Sequence, residues 1–402
     1  MEKQNLFLWS LYDFANSVVY ISFLLYFAQW LVIDGGLSDF WYNALFAIAT
    51  VLLLFSAPLL AARVDKHQTG GKLFLNLATI GTLVGYGCAA LFAYSGTANM
   101  VPAAVAFVFG QYFYQLSFVF YTPMLAQLSD GGQRVLASGI GQFANALGQV
   151  SGVLIARPFA STRRGPLAPS LRLFFVLALP MMIFFKERHA HIDTQLSLTN
   201  RGFFKKLTMF VVGSAAAPLL FAYFFFNDAI ITLSNNYAIV LERVYAAPDT
   251  YKSLLLLAIL VLSAIGGVIA GFIGRRVGSY KTLVGIVCGW VVMLPLLALA
   301  PTFAIFAALT LPVGLLIGSA YATSRVYMTE LLAPHELNYG FSFYTLFERF
   351  ASIAGPLTWG LTLLVLGNDA STYRVAITLM GALIAIGLCI LLFWRRVQTS
   401  NL

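Results

Sequence analysis

Long apolar segments alternate with short polar connections along the whole chain of 402 residues. Each segment is long enough for a helix to cross a hydrocarbon core of about 30 Å. The pattern predicts an all-α membrane protein with about twelve transmembrane helices. We place the spans at 6–33, 39–62, 72–94, 99–126, 134–157, 168–185, 211–241, 253–274, 281–300, 302–329, 338–366 and 372–394.

Composition supports this interpretation and removes several classes of protein. Hydrophobic residues make up 60% of the chain and charged residues only 10%, well below the roughly 25% typical of soluble domains. Cys88, Cys288 and Cys389 fall in separate apolar segments, which indicates neither a disulfide framework nor a cysteine-rich metal site. The net charge of +9 has no soluble basic domain around it, so we expect no nucleic-acid partner.

Basic residues predict the orientation of the chain, because cytoplasmic connections carry an excess of Lys and Arg. If the spans alternate in direction, most Lys and Arg residues lie on one side, which we expect to be cytoplasmic. Both termini then lie in the cytoplasm, and we expect the membrane to be a bacterial plasma membrane. This side carries Lys3, Arg63, Lys66, Lys72, Arg134, the basic residues of 186–206, Arg275, Arg276, Lys281, Arg395 and Arg396.

Four arginines between spans five and six break this rule: Arg157, Arg163, Arg164 and Arg172. Two explanations fit. Either the cluster binds an anionic partner, such as lipid head groups or a substrate, or spans five and six are misplaced.

The longest polar connection divides the spans six and six, which predicts an N-terminal half at 1–186, a cytoplasmic linker at 187–206 and a C-terminal half at 207–402. Three ordered matches suggest that the halves are repeats. Asp13 with Ser17 matches Asp228 with Thr232; the connection at 61–72 matches 271–281; and 138–152 in span five matches 342–356 in span eleven. Two repeated six-helix halves are a transporter architecture.

Polar residues recur at helical spacing within the apolar spans, which predicts faces that line a path through the membrane. The candidate solute or coupling-ion residues are Asp13, Asn16, Ser17, Gln111, Gln115, Asn145, Asp228, Thr232, Asn235, Glu348 and Arg349. Charged groups inside a membrane are costly, so they normally face water or a partner. The small residues around Asn145 primarily indicate helix packing.

Two interpretations of Asp13 and Asp228 remain open. Each carboxylate either carries a coupling proton or contacts a cationic part of a substrate, or else it forms a structural ion pair, for example with Arg349 or Arg325, or a gate latch. Asp13 lies only about 10 Å along the helix from the first apolar residue of its span. For Asp13, the structural pair or gate latch is therefore the preferred interpretation.

The segment "RVDKHQTGGK" (63–72) resembles the cytoplasmic signature of the major facilitator superfamily, with Ala61 in place of its leading glycine. In that family the acidic and basic residues of the signature join helix ends and regulate opening on the cytoplasmic side. The resemblance and the repeat imply cytoplasmic gate candidates at Asp65, Lys66, Lys72, Arg275, Arg276 and Arg325.

Four further segments resemble the vacuole-effluxer-like branch of that superfamily. They are "LYDFANS" (11–17), "FFFNDAIIT" (224–232), "TSRVYMTELLAPHE" (323–336) and "GFSFYTLFERFASIAGP" (340–356). Ala229 and Glu348 stand where the branch more often has glycine, and Glu348 supplies Arg349 with a local partner. The resemblance implies the major facilitator fold, and its eukaryotic members are linked to amino-acid efflux from the vacuole.

These observations predict a secondary transporter of a small organic solute, with amino-acid efflux as the first candidate, working by alternating access around a central cavity. We expect a monomer in a lipid bilayer, coupling either to protons or to no ion, and no cofactor. A transport-inactive receptor or scaffold is the alternative. A membrane enzyme is less favoured, because no zinc-protease motif or activated nucleophile is present.

Overall fold

A computed structural model describes residues 3–67, 70–128, 134–187, 214–332 and 337–399. These residues form helices with short connections and contain no β-strand, which confirms the predicted fold class. The helices are α1 (Lys3–Ser22), α2 (Asp39–His67), α3 (Gly71–Tyr94), α4 (Met100–Tyr121), α5 (Arg134–Ala156), α6 (Leu167–Phe184), α7 (Ala217–Tyr245), α8 (Asp249–Val277), α9 (Ser279–Leu299), α10 (Phe303–Leu331), α11 (Leu337–Phe350), α12 (Ala354–Leu366) and α13 (Ala370–Thr399).

Within these ranges, eleven helical segments are long and apolar enough to cross a membrane. The first runs from Lys3 to Asp34, because two π-helical turns, Phe23–Phe27 and Trp30–Asp34, extend α1. Helix α5 occupies the remaining predicted span and is 23 residues long. Large apolar side chains such as Leu91, Leu299 and Val365 are exposed, as lipid-facing residues are.

The structure contains two compact units, and helix packing repeats between them. Unit one comprises Met1–Leu37 and Ile48–Lys206, and unit two comprises Ser38–Ala47 and Leu207–Leu402. In unit one, α1 packs on α5 and α6, and α3 packs on α4 and α6. In unit two, α7 packs on α11, α12 and α13, and α9 packs on α10 and α13. Of the predicted linker at 187–206, residues 188–206 lie outside the described residues.

Span eleven differs from the prediction, which placed one span over 338–366. The structure breaks it at 351–353, between α11 and α12. Pro356 explains this, because proline has no N–H and its ring clashes with the carbonyl four residues earlier, so it is tolerated only in the first turn of a helix. A new helix therefore begins at Ala354.

The arginine cluster lies in the connection between α5 and α6. Both helices begin and end within about one residue of the predicted spans, so misplaced spans do not account for it. Arg163 pairs with Asp34 at 2.6 Å, and Arg164 donates to the Tyr94 carbonyl at 3.1 Å. Two of the four arginines therefore hold unit one together at this end.

Candidate functional site

In unit one, Asp13 lies on the face of α1 that packs against α5, and only 4% of it is exposed. Asn145 Nδ2 donates a hydrogen bond to Asp13 Oδ1 at 2.9 Å, and Gln149 Nε2 donates to Asn145 Oδ1 at 2.7 Å. The structure therefore brings together Asp13 and Asn145, which the sequence singled out separately. Gln149, one turn after Asn145, is the third member of this hydrogen-bonded series and was not among the residues predicted from the sequence.

Asn16 and Ser17 lie buried on the same helix. Asn16 Nδ2 donates to the Tyr12 carbonyl at 3.0 Å, whereas its Oδ1 accepts no hydrogen bond from the residues that are described. Gly148 packs directly over this turn, because a Cβ there would lie 2.8 Å from Ser17 Cβ and collide with the Phe14 carbonyl oxygen. Close contact of α1 and α5 therefore requires glycine at 148.

Gln111 and Gln115 on α4 are buried and bonded within unit one. Tyr86 Oη donates to Gln111 Oε1 at 2.6 Å, and Gln115 Nε2 donates to Thr50 Oγ1 at 3.3 Å. These bonds satisfy polar groups that would otherwise be costly inside a membrane. The observed role of both glutamines is to join α4 to α3 and α2.

In unit two, the side chain of Asp228 on α7 contacts the first turn of α12, and only 1% of Asp228 is exposed. Its Oδ2 accepts a hydrogen bond from the Gly355 N–H at 2.6 Å. The N-terminus of a helix carries partial positive charge and unpaired N–H groups, so a carboxylate is well placed there. Asp228 is therefore an N-terminal cap for α12, supplied by another helix.

Two oxygens beside this cap have no hydrogen-bond partner within the described ranges: Asp228 Oδ1 and Thr232 Oγ1. Both border the space above the Gly355 Cα, where a side chain would collide with Thr232 and come within 2.9 Å of Asp228 Oδ1. Buried polar atoms normally have partners, so these two are candidates for binding a proton, a water molecule or a donor group of a solute.

Asn227, the residue before Asp228, contacts the other side of the helix break. Its Nδ2 donates to the Glu348 carbonyl oxygen in the last turn of α11, at 3.4 Å. Asn227 was not among the residues predicted from the sequence, although it lies inside the segment 224–232. Its adjacency to an intramembrane aspartate was the available signal.

Glu348 and Arg349 lie half-buried at the end of α11, with Glu348 Oε1 3.9 Å from Arg349 Nη2. This is the local partner that the sequence predicted for Arg349. Arg325 on α10 is half-buried as well. The carboxylate of Asp228 is bonded to backbone at α12, so capping explains its burial without an ion pair to either arginine.

Asn235 lies in the second half of α7 and contacts the segment 38–47, which also belongs to unit two. Tyr42 Oη donates to the Asn235 carbonyl at 2.8 Å, and Asn43 and Asn236 exchange hydrogen bonds of 3.0 and 2.7 Å. Tyr373 Oη donates to Asp39 Oδ1 at 2.8 Å. Of this network, only Asn235 was predicted from the sequence, because it shares a helical face with Asp228 and Thr232.

The cytoplasmic gate candidates are described unevenly. Lys72 Nζ donates to the Ile183 carbonyl at 3.0 Å, and Glu187 accepts from the N–H groups of Gly71 and Lys72 at 3.0 and 3.3 Å. Lys72 therefore bonds to the end of α6, where carbonyl groups attract cations. Arg275 and Arg276 are exposed in the last turn of α8. The side chains of Asp65 and Lys66 are not among those that the structure describes.

The chemistry available in both units is that of carboxylate, amide and hydroxyl groups. In the described part of the chain, no three His, Cys, Asp or Glu side chains cluster so as to hold a metal ion. These groups can exchange a proton or bind hydrogen-bonding parts of a polar solute.

Comparison with solved structures shows that the chain has the major facilitator fold. The nucleoside transporter NupG matches with a TM-score of 0.75 and 12% identity, over 96% of this chain and 98% of that one. A bacterial homolog of the human lysosomal transporter Spinster, in an inward-facing and unoccupied conformation, matches with a TM-score of 0.70 and 12% identity, over 97% of each chain. At such identities these likenesses establish the fold and leave the substrate open.

Sequence comparisons point the same way. A model of the Major Facilitator Superfamily matches residues 219–401. The uncharacterized MFS-type transporter YxiO of Bacillus subtilis (strain 168) is 26% identical, over 96% of this chain and 93% of its own length. Together with the fold, these matches support a multi-pass membrane transporter of the major facilitator type.

Proposed function

We propose that this chain is a secondary transporter that moves a small organic solute across the membrane by alternating access. The observation that carries the proposal is a buried carboxylate on one helix of each unit, Asp13 on α1 and Asp228 on α7. Intramembrane carboxylates of this kind are costly and are typical of solute and proton pathways. The family model and the YxiO relative support transport as the general activity.

The finer proposals concern the solute and the coupling ion. A neutral amino acid is the first solute to test, as expected from the resemblance to the vacuole-effluxer-like branch. Asp228 Oδ1 and Thr232 Oγ1 are the atoms we propose for contact with a proton or a solute donor group, because both are buried and unpartnered among the described residues. We also propose a monomer with both termini cytoplasmic.

Counterflow in proteoliposomes tests the general activity. Purified protein is reconstituted with an unlabelled solute inside, and entry of the labelled solute is followed for a panel that begins with neutral amino acids. We expect saturable entry of at least one solute, absent from empty liposomes. No entry across a broad panel would favour the receptor or scaffold alternative.

Two isosteric variants test the coupling. Asp13→Asn and Asp228→Asn keep the volume of the side chain and remove its charge. If Asp228 carries the coupling proton, Asp228→Asn retains counterflow but no longer accumulates solute in response to a proton gradient. Accumulation at the wild-type level in both variants would exclude a proton role for these carboxylates.

A further inference from the structure

Helices α11 and α12 are held by two neighbouring residues of α7, one on each side of the break. Asn227 donates from its amide Nδ2 to the Glu348 carbonyl, in the last turn of α11. Asp228 accepts from the Gly355 N–H, in the first turn of α12. Both residues are essentially buried, with exposed fractions of 0% and 1%.

The chemistry of each contact matches the helix end that it meets. The last turn of a helix has unpaired carbonyl groups and partial negative charge, so it takes a donor such as the Asn227 amide. The first turn has unpaired N–H groups and partial positive charge, so it takes an acceptor such as the Asp228 carboxylate. The order Asn-Asp along α7 therefore follows the order of the two helix ends.

The local sequence of α12 leaves few donors for Asp228 to satisfy. Pro356 has no N–H, and the Leu357 N–H already donates to the Ile353 carbonyl at 3.2 Å. Gly355 provides the close approach, because any side chain there would strike Thr232. A single carboxylate is thus enough to cap this helix start.

In unit one, the helix that packs against Asp13 is described throughout and is not broken. Helix α5 runs unbroken from Arg134 to Ala156, and Asp13 bonds to a side-chain amide on it, Asn145. The residue before Asp13 is Tyr12, whose hydroxyl is 2.6 Å from Thr79 Oγ1 on α3. Of α5 and the α11–α12 pair, the two-sided contact therefore occurs at the interrupted one.

We propose that Asn227 and Asp228 form a clamp on a hinge at 351–353, and that the negative charge of Asp228 holds the hinge in one position. Neutralising this carboxylate weakens its bond to α12 and frees α11 to change its angle to α12. Because α11 carries Glu348 and Arg349, Asp228 positions both charged groups without contacting them.

Distance measurements between two spin labels test the clamp without knowledge of the solute. One label is attached to Leu346→Cys on α11 and the other to Leu361→Cys on α12, after replacement of the three native cysteines by alanine. The background protein should give one narrow distance distribution by double electron–electron resonance. Asp228→Asn, which is isosteric but uncharged, should broaden it or add a second distance, and Asn227→Asp should do the same by placing a carboxylate against carbonyl oxygens.

The matched control is Asp13→Asn, the same change in unit one, which should leave the distribution unaltered. All variants are first checked for a monodisperse elution profile and unchanged circular dichroism. The clamp is refuted if Asp228→Asn and Asn227→Asp both reproduce the background distribution, or if Asp13→Asn broadens it equally. Since no solute is present, failure here is distinct from failure of the transport proposal.

Discussion

One helix in each unit, α1 in unit one and α7 in unit two, buries an aspartate, and the two aspartates have different surroundings. Asp13 faces an unbroken α5 and bonds to the side chain of Asn145. Asp228 faces a broken helix and bonds to the backbone of Gly355. Each aspartate is followed four residues on by a hydroxyl residue, Ser17 or Thr232, that packs under a glycine.

The comparison shows that two aspartates on corresponding helices make two kinds of contact, one with a side chain and one with the backbone. A side-chain partner such as Asn145 can rotate to another acceptor, and Gln149 already shares its hydrogen bonding. The Gly355 N–H is fixed by the backbone of α12 and cannot rotate to another acceptor, so removal of the Asp228 carboxylate leaves a buried donor unpaired. We therefore expect the two aspartates to differ in how much stability depends on them.

The largest effect should come from Asp228→Ala. The variant leaves the Gly355 N–H buried and unbonded at a helix N-terminus, which should cost about 3 kcal/mol of the free energy of unfolding. Asp13→Ala should cost about 1 kcal/mol, because Asn145 is half-buried and can be solvated or rebonded. Unfolding of the detergent-solubilised protein, followed by tryptophan fluorescence, measures both. Equal losses would contradict the distinction between the two sites.

The glycines should give the next largest effects. Gly148→Ala and Gly355→Ala should each cost about 1–3 kcal/mol by overpacking. The obstacles differ, since a Cβ at 148 strikes the Phe14 carbonyl, whereas a Cβ at 355 strikes the Thr232 hydroxyl.

Removal of the neighbouring hydroxyl side chain should therefore relieve the overpacking in Gly355→Ala and not in Gly148→Ala. Thr232→Ala should recover part of the stability lost in Gly355→Ala, while Ser17→Ala should recover little of that lost in Gly148→Ala. Double-mutant cycles by thermal unfolding measure this coupling. Relief by Ser17→Ala as large as that by Thr232→Ala would show that backbone contact does not limit unit one.

Asn145→Asp tests the unit-one contact with a smaller effect. It replaces the donor at 2.9 Å from Asp13 Oδ1 with a second carboxylate. Two carboxylates at this distance repel each other, and the variant no longer offers an N–H donor to Asp13. We expect a loss of about 1 kcal/mol in the free energy of unfolding, part of which Asp13→Asn should recover by restoring an amide donor. A loss that Asp13→Asn does not reduce would argue against the Asp13–Asn145 contact.

The smallest effect concerns a cap in water, Asp369, which precedes α13. The Thr372 hydroxyl and N–H donate to its Oδ1 at 2.6 and 2.8 Å, and these bonds lower the pKa of Asp369 below its ordinary value. A lowered pKa contributes stability above the ordinary value, and this contribution is lost as the pH falls through the folded-state pKa. Asp369→Ala should therefore lower Tm slightly at pH 7 and leave it unchanged under strongly acidic conditions. A Tm difference independent of pH would show that the charge of Asp369 does not act as a cap.

The sequence was sufficient for much of the architecture because membrane insertion imposes simple rules. Runs of apolar residues long enough for a bilayer must be helical, so the number of spans, their approximate bounds and the repeat of Asp13 and Asp228 were predictable. The order of motifs also placed the chain near the major facilitator superfamily, which the comparisons support.

Partners of polar groups could not be predicted in the same way. Gln111 and Asp228 both occur at helical spacing on apolar spans, yet one bonds to Tyr86 and the other to a backbone N–H. Periodicity gives the face of a helix and leaves open which neighbour meets it. Asn227 was missed for this reason, since its partner is a carbonyl 121 positions away in sequence.

The sequence was enough to predict a helical chain with many membrane spans and an aspartate repeated in two of them, because helices satisfy their own backbone hydrogen bonds in a bilayer and unpaired charge there is costly. The partners of these aspartates, a side chain for Asp13 and a helix start for Asp228, depend on tertiary packing. Pro356 allows a helix to begin at Ala354, and the packing of α7 against α12 places the Asp228 carboxylate at the N–H groups of that first turn.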